Sequence, residues 1–106
     1  MTSAIVVLTT CSDAGEADRI ARSLIENRLA ACVQVLPQIR SIYRWKDAIE
    51  SAEEHLLLIK STSAKFSAIR ASIESLHSYE VPEIVALPIE EGSTKYMNWL
   101  ETELNG

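Results

Sequence analysis

Few side chains in these 106 residues could do chemistry. The soft donors are Cys11, Cys32, His55 and His77. A thiolate and an imidazole on one centre suit copper or zinc, and a thiol beside an imidazole is also the start of a nucleophile–base pair. The spacing matches no closed metal motif, for the chain holds neither Cys-x-x-Cys nor His-Glu-x-x-His. No third group orients a Cys–His pair. A phosphate-cradling loop is missing too, since the glycines are Gly15, Gly92 and Gly106. No residue is therefore assigned a catalytic role and no enzymatic reaction is expected. Glu50, Glu53 and Glu54 read as a solvated strand end. Lys60 follows four apolar residues and either snorkels from a sheet end or lines a cleft. Tyr43 and Trp45 either stack a ligand or pack against a second subunit.

These groups are positioned by elements legible from periodicity. Ala4 to Leu8 is a short apolar strand. Ser12 or Asp13 caps the helix that follows, with capping-box spacing from Asp13 to Glu16. Ala17, Ile20, Ala21, Leu24, Ile25 and Leu29 form its apolar stripe, with Glu16, Asp18, Arg22 and Glu26 opposite, so it should run to about Leu29. Val33 to Leu36 is a strand that Pro37 breaks or kinks, and Ile39 to Trp45 resumes it. Lys46 to Glu50 is the turn of a hairpin and His55 to Ile59 the returning strand. Ser63 should cap a second helix carrying Phe66, Ile69, Ile73 and Leu76. Tyr79 to Pro82 is a loop, because Pro82 disfavours helix at Val81. Ile84 to Ile89 is the last strand, and Gly92-Ser93-Thr94 opens a short C-terminal helix.

The order β-α-β-β-α-β plus a C-terminal helix predicts an α+β chain of the ferredoxin-like, split βαβ kind, one domain over 1–106. In that topology the first strand ends where the second helix returns, and the fourth strand lies beside the first. Cys11, His77, Tyr79 and Glu80 should share this end. Cys32 should lie at the other, roughly 25 Å away down the first helix, as a packed small hydrophobe. His77 with Cys11 or Glu80 is thus the candidate metal set; otherwise Cys11 is a loop thiol and His77 a hydrogen-bonded loop imidazole. Trp45, Lys60, Tyr79 and Glu83 are the candidates for lining a cleft between subunits.

The strands also predict an assembly. Helices cover only one face of such a sheet, so the strands should alternate apolar and polar. Ile5-Val6-Val7-Leu8, Leu56-Leu57-Leu58-Ile59 and Ile84-Val85-Ala86-Leu87 do not. No other segment looks long enough to cover the second face, so copies of the chain should close over it with cyclic symmetry. A net charge of −5 disfavours nucleic acid and anionic lipid as partners. The start Met1-Thr2-Ser3 has no basic region and no apolar run nears the ~20 residues of a membrane span. Two cysteines make no disulfide framework. The expected setting is cytoplasmic, with no membrane and no obligatory cofactor.

Several stretches together resemble the CutA divalent-cation-tolerance family. They are Arg28-Leu29-Ala30-Ala31-Cys32-Val33 with Pro37, Ser41-Ile42-Tyr43-Arg44-Trp45, and His77-x-Tyr79-x-x-Pro82-Glu83-Ile84 with Pro88. Thr9-Thr10-Cys11-x-Asp13 and Leu57-x-Ile59-Lys60 extend the match over nearly the whole chain. The resemblance implies a homotrimer related in architecture to the PII signal proteins, sheets inward, in the cytoplasm. It also implies a link to tolerance of copper and other divalent metals, with Cu(II) or a similar cation as ligand. In members credited with copper binding, a cysteine falls at the position of Thr9 and a His-His pair at Leu76-His77, so only His77 carries over. A small-molecule sensor of the PII kind and a trimeric interaction scaffold are the alternative functions.

Overall fold

The computed structural model describes residues 3–106. Strand β1 (Ala4–Cys11) leads into helix α1 (Ala14–Glu26), then the hairpin of β2 (Cys32–Trp45) and β3 (Ala48–Thr62). A single 3-10 turn at Ser63–Lys65 precedes α2 (Phe66–Leu76); β4 (Val85–Pro88) and α3 (Thr94–Asn105) complete the chain. The four strands form one antiparallel sheet in the order β2-β3-β1-β4. The expected element order and the neighbouring of the first and fourth strands both hold.

Local chemistry explains most boundaries. Asp13 accepts the Glu16 N–H at 2.8 Å and Ser93 accepts that of Tyr96; such caps are each worth about 1 kcal/mol. Helix α1 stops at Glu26 rather than near Leu29. Asn27 closes it and Arg28 turns left-handed at φ 54°, while the N–H groups of Leu29 and Ala30 both reach back to the Leu24 carbonyl. Pro37 does not break β2. The ladder instead gains one extra residue between Leu36 and Ile39, with Gln38 at φ 59°, a bulge on an edge strand where Pro37 and Gln38 stand outside the pairing.

The hairpin is longer than its composition suggests. Its turn is only Lys46-Asp47, both at positive φ, so Ala48 to Glu50 are paired strand rather than turn, and Glu54, expected at a solvated strand end, is buried. Strand β1 likewise continues three residues past Leu8, because Thr9, Thr10 and Cys11 pair with β3. From Ile39 to Trp45 the hairpin overhangs the end of β1, so Ile42 and Ile49 stand 67% and 72% exposed. Ser63 starts the 3-10 turn rather than capping α2 with its side chain.

One sheet face packs Ile5, Val7, Cys11, Leu57 and Ile59 against Ala17, Ile20 and Leu24 of α1 and Ile69 and Ile73 of α2. Alternation and register put Val6, Leu8, Leu56, Leu58, Val85 and Leu87 on the other face. That face is not wholly bare, which corrects the expectation that no segment of the chain covers it. Helix α3 lies along β3 and buries Leu100 and Leu104, with Tyr96 against Cys32 at the foot of the sheet. The rest stays open: Leu36 near the upper end, and Val85 and Leu87 along β4, are each more than two-fifths exposed.

Candidate functional site

Two constellations meet at the upper end of β1, one on each side of the sheet. The first is buried under the helices. Helix α2 ends at Leu76, and His77, in extended conformation, turns its ring back over the end of β1. Nε2 lies 2.7 Å from the Thr10 carbonyl, which only accepts, so this nitrogen carries the proton. Nδ1 accepts the Tyr79 N–H at 3.1 Å. Cys11 Sγ stands 3.9 Å from Nε2, and Glu16 Oε1 reaches Nδ1 from the first turn of α1 at 3.3 Å. The donor atoms of Cys11, Glu16 and His77 lie within 4.8 Å of one another. The side chains of His77 and Glu16 are 0% and 5% exposed, and Glu16 Oε1 receives no hydrogen bond from any described residue.

Burial pushes the Cys11 thiol up to about 12, aided by the carboxylates of Glu16, Asp13 and Glu54. It is protonated at neutral pH. This field is the opposite of the one that activates a cysteine nucleophile. Thr9 is fully buried on the same side, and its hydroxyl has no partner among the described residues.

The second constellation is a groove on the opposite side, about 650 Å³ in volume. Ser41, Ile42, Tyr43 and Trp45 of β2, Thr10 and Glu54 below, and Tyr79 to Glu83 from the α2–β4 loop line it. Glu54 is 6% exposed and accepts the Tyr79 hydroxyl at 2.7 Å. Burial alone would raise its carboxyl. Hydrogen bonds from Ser41, Tyr79 and Thr10, with the nearby His77 ring, outweigh burial and hold it below the ordinary range. Burial and the Glu54 carboxylate push the Tyr79 phenol upward. The Tyr79 ring stands 4.7 Å from that of His77 and so joins the two constellations.

The Glu54 shift has a pH consequence. The native state binds fewer protons here than the unfolded chain, so this stability is present above the ordinary carboxylate range and is lost as pH falls through the native value. Urea unfolding should therefore show stability dropping below about pH 5, and Glu54→Gln should flatten that acid limb. An acid limb identical in the variant would refute the assignment.

The structure brings together Cys11 and His77 as expected, and Trp45, Tyr79 and Glu83 along one groove. It does not bring Glu80 to the thiol–imidazole pair; Glu80 lines the groove. Lys60 is at neither place, being bonded to Gln34 at 2.8 Å lower on the hairpin. Glu16 is the residue that sequence reasoning missed. Its capping-box position and polar stripe assigned it outward, yet it is buried. The only hint was a carboxylate in the first turn of the helix that follows Cys11.

Residues 5–103 match the family described as CutA1 divalent ion tolerance protein. The chain is 47% identical over 95 residues to the divalent-cation tolerance protein CutA of Thermus thermophilus, covering 90% of this chain and 92% of that one. It is 50% identical over 91 residues to the protein CutA homolog of Xenopus laevis, covering 86% of this chain but only 60% of that longer one. The crystal structure of CutA from Xylella fastidiosa superposes with a TM-score of 0.94 at 37% identity, over 97% of this chain and 99% of the other.

Proposed function

Because the chain belongs to the CutA1 divalent ion tolerance family, we propose that it acts as a homotrimer that takes up a divalent cation of the copper or zinc class at the Cys11–Glu16–His77 cluster. One observation carries the cation reading. Glu16 Oε1 is a buried carboxylate oxygen without a donor, facing an imidazole nitrogen that already uses its lone pair. Two acceptors in that position repel, and a cation between them removes the repulsion. The Cys11 thiol, with its sulfur within 4.8 Å of both, adds a third and softer donor. Sulfur, nitrogen and carboxylate oxygen together are the donor set of borderline cations, and three protein donors leave a fourth position open. Binding must displace the thiol proton and one hydrogen bond of the ring, so the affinity is modest.

The open apolar upper face of the sheet supports a trimer with sheets inward. Both cysteines are unpaired, which suits a reducing cytoplasm. No described helix is long and apolar enough to cross a membrane. The family is named for tolerance, not for a reaction.

Metal-free protein titrated with Co(II) should develop thiolate charge-transfer absorption, and calorimetry with Zn(II) should give one ion per chain. Cys11→Ser should lose the band, His77→Ala the binding, and Glu16→Gln should weaken it about tenfold or more. Identical heats for the native chain and all three variants would remove the site.

A further inference from the structure

The groove across the sheet from that cluster has a ligand chemistry of its own. Its volume, about 650 Å³, is that of a small-molecule site. The ionisable groups lining it are Glu54, Glu80 and Glu83 and the phenols of Tyr43 and Tyr79; no lysine, arginine or histidine lines it. Lys60, the one cation that the sequence suggested for a cleft, is bonded to Gln34 instead. Among the described residues no basic side chain forms an ion pair with Glu54, Glu80 or Glu83.

Glu54 is the buried charge of the groove. A carboxylate offers roughly four acceptor positions. The hydroxyls of Ser41, Tyr79 and Thr10 fill three, so one more donor can be accommodated. The rings of Tyr43, Trp45 and Tyr79 supply apolar walls and electron-rich faces. The protein already shows this attraction, for the Lys46 ammonium stands 5.8 Å from the centre of the Trp45 ring.

We propose that this groove binds a small organic cation, a protonated amine carried on an apolar or aromatic body. Glu54 receives the ammonium, the aromatic side chains hold the body, and Glu80 and Glu83 at the groove raise the local concentration of cations. An anion of the same shape meets three carboxylates, and no basic side chain among the described residues lines the groove. The groove lies on the sheet side that the proposed trimer closes, so a neighbouring copy would form an outer wall, while the selecting charges belong to this protomer. The inference does not depend on metal at the Cys11–Glu16–His77 cluster, and its test is run with chelator present.

The test uses the full chain in its native assembly at pH 7. Tryptamine, phenethylamine and agmatine are titrated by calorimetry and by NMR shifts of Trp45, against indole-3-propionate and phenylpropionate as anionic counterparts. At least one amine should bind saturably and shift Trp45, and neither anion should. Glu54→Gln should weaken the amine about tenfold or more. Glu83→Gln, at an exposed position, should leave the fold intact and weaken the amine less and in a salt-dependent way. Equal binding of amine and anion, or no saturable amine, overturns the proposal. So does a loss of assembly in Glu83→Gln without amine binding to the native chain, since a basic side chain of a second copy then fills the groove.

Discussion

Leu58→Glu is expected to reduce the particle in solution from three chains to one. Leu58 is half-buried on the face that α1 and α2 leave uncovered, directly between Leu8 of β1 and Gln34 of β2. In the proposed trimer this position is covered by another copy. A carboxylate there would be buried without a partner, at several kcal/mol per ion, and cyclic symmetry repeats the penalty in every subunit. The helix-side core is untouched, so the circular dichroism of the single chain should stay native-like. Leu58→Met keeps volume and polarity and should leave the assembly intact. Light scattering at micromolar chain concentration decides the matter. A variant that still scatters as three chains, or a native protein that scatters as one, would end the trimer reading.

Leu57→Ala, one residue earlier, should do the reverse. Leu57 is 0% exposed and packed in the cluster with Val7, Ile20 and Ile73. Truncation leaves a cavity that close-packed helices fill poorly, costing about 3 kcal/mol. For a chain of this length each kcal/mol lowers the melting temperature by roughly 4–8 °C. The open face is unchanged, so the variant should keep the mass of the native particle while melting far earlier, compared at equal chain concentration. A drop below about 1 kcal/mol would mean that the core is not closed around this residue. Two adjacent leucines thus separate folding from assembly, because a strand sends successive side chains to opposite faces.

Much of this architecture was legible because it is local. The stripe of Ala17, Ile20 and Leu24 repeats at helical spacing, and those residues are in the core. Asp13 and Ser93 cap the helices they precede. Doubly apolar β1 and β3 announced a face that α1 and α2 could not cover, although α3 takes its lower end. Chain direction alone carried Cys11 and His77 to the same end across 66 residues.

What escaped the sequence is non-local in each case. The stretch from Lys46 to Glu50 has the composition of a turn, and only the pairing of Ala48 to Glu50 with Tyr43 to Trp45 makes its second half strand. Lys60 follows the same apolar run in either register, and the side chain of Gln34 decides where its ammonium rests.

The order of helices and strands, the two apolar sheet faces and the end at which the thiol and imidazole meet were therefore determined by the chain alone, through spacing and strand direction. The burial of Glu16 was decided by tertiary structure. A first-turn glutamate serves equally well in solvent or inward, and the choice falls to His77, which the fold delivers from 61 residues away. The groove at Glu54 has the same origin: its hydroxyl donors come from β1, β2 and the α2–β4 loop, and the buried carboxylate is satisfied only when all three are assembled.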